Sequence, residues 1–93
     1  MDAVMYYEEP TLQDIFSKAV YLKLRARLKD ICSVRVFWLT GEQIKVTIYT
    51  SDFRFCKIYD HAFTMLLGGM TSDWLVNHVL SEYRKFIKSQ IFA

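Results

Sequence analysis

The sequence predicts an α+β domain in the order α-β-β-β-(short α)-α, a small antiparallel three-stranded meander with helices packed on one face. Three observations carry this reading. Apolar residues recur at helical spacing near both ends of the chain. Between residues 34 and 59 the period switches to two. The single proline, Pro10, and the three glycines, Gly41, Gly68 and Gly69, fall where elements start or stop. The 93 residues allow one core, assigned to residues 11–93, with residues 1–10 as an N-terminal tail.

The first helix is expected over about residues 11 to 30. Thr11 is placed to cap it, and Asp14 three positions on gives a weaker relative of the capping box. Leu12, Ile15, Phe16, Ala19, Leu22 and Ala26 then form the apolar side, and Leu24 and Leu28 are left off the main stripe. Within this segment LKLRARLK (Leu22 to Lys29) alternates strictly between apolar and basic residues, as a strand would. It has no β-branched residue and continues a capped helical pattern, so helix is preferred. The leftover leucines imply a helix covered on more than one side.

Three strands follow: Val34 to Leu39, Ile44 to Thr50 and Phe53 to Tyr59, separated by Thr40-Gly41-Glu42-Gln43 and by Ser51-Asp52. Alternation assigns Val34, Val36, Trp38, Ile44, Val46, Ile48, Cys56 and Ile58 to a dry face under the helices. The opposite face then shows Arg35, Phe37, Leu39, Lys45, Thr47, Tyr49, Phe53, Phe55, Lys57 and Tyr59. Asp60 is expected to cap a short helix over His61 to Leu67, ended by Gly68-Gly69. Thr71 or Ser72 caps the last helix, whose stripe is Leu75, Val76, Val79, Leu80, Tyr83, Phe86, Ile87 and Ile91.

Composition limits the function. Hydrophobic residues make up 53% of the chain, above the ~45–50% of an average soluble domain with glycine counted. One small core cannot hide that much, which predicts an apolar patch for a partner or a second copy. The net charge of +2 neither requires nor excludes nucleic acid, but its distribution is uneven. Asp2, Glu8, Glu9 and Asp14 occupy residues 1–17 without a base, and Lys18, Lys23, Arg25, Arg27 and Lys29 occupy residues 18–29 without an acid. No signal-like start and no apolar run of about 18 residues is present, so no membrane span is expected and a cytoplasmic location is the default. Cys32 and Cys56 are expected as reduced thiols.

Motifs for catalysis are missing. His61 and His78 have no metal-ligand spacing with each other or with the cysteines, and neither GxGxxG nor GxxxxGK[ST] occurs. Cys56 reads as a small hydrophobe, and Cys32 follows a helix instead of opening one. No enzyme activity, cofactor, metal or small-molecule substrate is expected.

In element order the chain resembles the double-stranded RNA-binding domain. That family places a lysine cluster at the start of its last helix, whereas DHAFTML and TSDWLVNHV here each offer an aspartate and no lysine or arginine. The resemblance ends at topology and transfers no residue. The RNA-recognition motif's βαββαβ order and glycine-aromatic signature are both missing.

The expected role is therefore a protein–protein interaction module, self-associating as a homodimer or binding another protein, of a regulatory or inhibitor type. Small accessory proteins of phages and mobile elements share this profile. Its surface is expected at Phe37, Leu39, Tyr49, Phe53, Phe55 and Tyr59, residue types favoured at interfaces. The alternative is nucleic-acid binding through Lys23, Arg25, Arg27 and Lys29 of the first helix and Arg35, Lys45 and Lys57 of the sheet.

Overall fold

Most turns and caps in the computed structural model, which describes residues 9–31 and 33–91, follow from short-range hydrogen bonds that the local sequence supplies. The elements are α1 (Leu12–Arg27), β1 (Ser33–Trp38), β2 (Ile44–Tyr49), β3 (Arg54–Tyr59), α2 (Ala62–Leu67) and α3 (Ser72–Ile91). This is the predicted order. Residues 1–8, which include most of the expected tail, and Cys32 lie outside the described residues.

At the start of α1 the capping box is complete. The Thr11 hydroxyl accepts from the Asp14 amide at 3.1 Å, and the Asp14 carboxylate accepts from the Thr11 amide at 3.2 Å. The helix stops at Arg27, earlier than expected, because Leu28 turns extended while its amide still bonds to the Leu24 carbonyl. Thr40 closes the first hairpin by accepting from the amides of Glu42 and Gln43. Thr50 closes the second in the same way, accepting from Asp52 and Phe53. Strand order is β1-β2-β3, antiparallel throughout.

Asp60 does not cap α2. It accepts instead from the Gln43 amide side chain, and His61 occupies the cap position in a left-handed conformation. The start of α2 is tied down by Glu42: its carbonyl accepts from the amides of Ala62 (2.7 Å) and Phe63 (3.4 Å), and its carboxylate from the Thr64 hydroxyl. Gly69, at φ 108°, takes the turn that ends α2, a conformation open to glycine and costly for other residues. Thr71 is the cap of α3, accepting from the Trp74 amide.

Both long helices cover the same side of the sheet, α1 over β1 and α3 toward β3, and they pack against each other. The core between them joins Phe16, Val20 and Leu24 of α1 to Leu75, Val76, Val79 and Leu80 of α3, over Val34, Ile44, Val46 and Ile48. Val36, Trp38, Tyr83 and Phe86 pack around its edge. Ile91, expected in the α3 stripe, is exposed at the helix end beyond this core.

Two assignments read from the sequence need correcting. The first is the orientation of α1. Phe16, Val20 and Leu24, at four-residue steps, face inward, and Leu12, Ile15 and Leu22 of the expected apolar side point out. Polar bonds accompany this rotation: Lys23 reaches Asp73 (2.9 Å) and Ser72 (2.6 Å), Arg27 donates to Asn77, and the Trp38 indole N–H donates to the Gln13 carbonyl.

The second is the parity of β3. The register pairs Ile44 with Tyr59 and Ile48 with Phe55, so Phe55, Lys57 and Tyr59 lie under the helices and Cys56 and Ile58 face outward. Phe55 and Tyr59 are core residues, 7% and 9% exposed, instead of members of an outer surface. Both parities of RFCKIY are partly apolar, and the two rings bury far more area than Cys56 and Ile58 would. Lys57 tolerates the inner side by extending to Glu82 of α3 (3.7 Å).

Candidate functional site

Two faces of the domain are left uncovered by its own described elements. One is the outer side of the sheet. The registers align three cross-strand rows there: Phe37–Lys45–Ile58, Arg35–Thr47–Cys56 and Ser33–Tyr49–Arg54. Each row carries one cation. The Lys45 ammonium sits 5.9 Å from the centre of the Phe37 ring, a cation–π contact. Thr47 is at the middle of the face and only 3% exposed, which leaves a shallow depression of about 80 Å³ lined by Lys45, Thr47, Tyr49, Arg54 and Cys56. Among the described residues Arg35, Lys45 and Arg54 take part in no ion pair.

Of the residues expected to form a sheet surface, Phe37, Tyr49, Arg35 and Lys45 do share this face, and Leu39 is exposed just past the end of β1. Phe53 is half-buried at the second hairpin, edge-on to the Phe86 ring at 6.2 Å. Phe55 packs on Tyr83 and Phe86. Arg54, Cys56 and Ile58 were missed by the reading from sequence. The signal was Thr50: a threonine closing its own turn on Phe53 leaves Phe53 out of the strand and starts β3 at Arg54.

The second uncovered face is the outer side of α1. Leu12, Ile15 and Leu22 are 48%, 56% and 54% exposed, and with Ala19 and Ala26 they follow alternating steps of three and four residues. A groove of about 420 Å³ runs along the stripe, lined by Pro10, Asp14, Ile15, Lys18, Ala19 and Leu22. The expected basic group divides accordingly. Lys23 and Arg27 turn toward α3, while Lys18, Arg25 and Lys29 remain exposed.

At the α3 side of β3 a third cluster is structural. Trp74 stacks on His78 at 5.2 Å, and the Tyr59 hydroxyl and His78 Nδ1 share a hydrogen bond at 2.8 Å. Burial, and after it the charge of Glu82, push the Tyr59 hydroxyl well above its ordinary pKa. The Lys85 ammonium, hydrogen-bonded to Glu82, holds that carboxyl below its usual range, with Lys57 adding to the effect. This network fastens α3 to β3.

Among the described residues no group of three or more histidine, cysteine or acidic side chains is placed to hold a metal ion, and no helix is long and apolar enough to cross a membrane. No family model matches the chain, and neither a curated protein nor a solved structure does.

Proposed function

We propose that this chain is a non-enzymatic protein–protein interaction module, of a regulatory or inhibitor type, whose first partner is another copy of itself. The observation that carries the reading is the exposure of Leu12, Ile15 and Leu22 along a helix whose inner stripe, about a third of a turn round, is already buried. A row of large aliphatic side chains left in water is unfavourable by about 25 cal/mol for each Å² that a partner could cover. Phe37, Leu39 and Ile58 on the outer sheet add to the uncovered apolar surface. Light scattering at two concentrations tests this directly. A mass near twice 11.0 kDa that falls on dilution is expected, and a constant monomer mass would rule self-association out.

The outer sheet face favours a second reading, an anionic partner such as single-stranded nucleic acid. Its support is the set Arg35, Lys45 and Arg54 interleaved with Phe37 and Tyr49, which offers cations for phosphates and rings for bases. Arg35→Glu together with Lys45→Glu should then abolish a mobility shift of RNA or DNA, and affinity should fall steeply with added salt. No shift by the unmodified chain at low salt would remove this reading.

A further inference from the structure

Resting on the self-association proposed above, we infer that the outer stripe of α1 is the dimer interface and that two copies pair through it with their α1 helices antiparallel. Leu12, Ile15, Ala19, Leu22 and Ala26 are spaced 3, 4, 3 and 4, the seam of a coiled coil. The core uses a different stripe of the same helix, Phe16, Val20 and Leu24, so no described element covers the seam. An isolated coiled coil needs about three to four heptads. Here packing against β1 and α3 already holds α1 in helical form, so little ordering remains to oppose docking.

Size and charge both select the antiparallel arrangement. In antiparallel pairs each first-type seam position meets the second type on the other helix. Ile15 then packs against Ala26 of the second copy and Ala19 against Leu22, large against small in these layers, with Leu12 at the outer end opposite Lys29. Parallel pairing would set Ala19 on Ala19 and Ala26 on Ala26, leaving gaps between the isoleucine and leucine layers. Charge follows the same preference. Glu9 and Asp14 lie at the N-terminal end and Arg25 and Lys29, followed by Asp30, at the C-terminal end, so an antiparallel partner sets Asp14 beside Arg25 while a parallel one sets Asp14 beside Asp14 and Arg25 beside Arg25. Lys18, near the middle, meets basic neighbours in either arrangement and selects neither.

The test uses the full chain with Cys32→Ser and Cys56→Ser as background. Protomers carrying Ile15→Cys are mixed with protomers carrying Ala26→Cys and gently oxidised. A mixed disulfide dimer is expected, with little product when either variant is oxidised alone. Efficient cross-linking of Ile15→Cys to itself would mean parallel pairing and overturn the arrangement. In parallel, Ile15→Glu with Leu22→Glu should convert the dimer to monomer while leaving the urea midpoint nearly unchanged at a concentration where the unmodified chain is itself monomeric, since both positions are solvent-exposed in the monomer. A dimer that survives this double change keeps the self-association reading and overturns the α1 interface. An unmodified chain that is monomeric at every concentration overturns both.

Discussion

α3 and α1 are the two long helices of one core, yet only α3 announces its inner side. Its apolar residues form one broad stripe, and Leu75, Val76, Val79 and Leu80 from that stripe are the ones buried. α1 carries two stripes. Phe16, Val20 and Leu24 pack on the sheet, and Leu12, Ile15 and Leu22 face out, Ile15 and Leu22 more than a third of a turn from the centre of the inner stripe and Leu12 closer to its edge. Hydrophobicity alone cannot choose between them. Polar contacts accompany the choice: with the first stripe inside, Lys23 and Arg27 reach Asp73, Ser72 and Asn77 on α3. The lesson is that an apolar surplus on one helix marks a second contact, and that the side chains flanking a stripe mark which contact is intramolecular.

The largest effect should separate the two stripes. Leu24→Ala removes a fully buried side chain between the helices and the sheet, and should lower unfolding free energy by about 2–5 kcal/mol. Leu22→Ala, two residues along and exposed, should change the stability of the monomer by no more than about 0.5 kcal/mol. Urea unfolding at a concentration low enough to keep the chain monomeric measures both. Equal losses would mean that the two stripes are not distinct.

The same contrast between one parity and two explains what could be read from the sequence. β2 alternates in one way only and β1 is read from its pairing with it, and Val34, Ile44, Val46 and Ile48 are buried as read. The hairpins were legible because Thr40 and Ser51-Asp52 are turn formers with a specific bonding role. β3 was not legible: Phe53, Phe55 and Tyr59 on one parity compete with Cys56 and Ile58 on the other, and the local pattern does not say which set the helices cover. The register to β2 decides it, and that depends on a turn ending at Phe53. The cationic outer face was half visible for the same reason. Arg35 and Lys45 were assigned to it correctly, while Lys57 belongs inside against Glu82 and Arg54 takes its place outside.

A smaller effect probes β3. The buried Tyr59 hydroxyl keeps its proton to higher pH than it would in the unfolded chain, and burial with the charge of Asp30 shifts Tyr83 the same way. In both cases the folded value is raised above the unfolded one. The stabilisation is therefore complete below the unfolded tyrosine value of about 10 and declines as the pH rises above it, because the unfolded state then releases protons that the folded state retains. Urea midpoints should hold up to about pH 10 and fall beyond it. Tyr59→Phe should flatten part of that fall. An unchanged slope in the variant would mean that Tyr59 is not the group under the helices, and the inner parity of β3 would need to be reassigned.

The smallest effect joins the two stripes of α1, because both depend on the same first turn. Thr11→Ala deletes the hydroxyl that accepts from the Asp14 amide, and should cost about 1 kcal/mol of stability. Phe16 holds the helix to the core from its second turn on, so the substitution loosens the end without releasing the inner stripe. Leu12 lies in the loosened turn and Ile15 beside it, both on the outer stripe. Dimer dissociation should therefore become easier by more than the change in the folding of the monomer can account for. Light scattering on dilution, compared with urea unfolding of the same variant, measures the two effects separately. If the cap deletion lowers monomer stability and leaves the dilution curve where it was, the first turn of α1 takes no part in pairing and the seam must lie closer to Leu22.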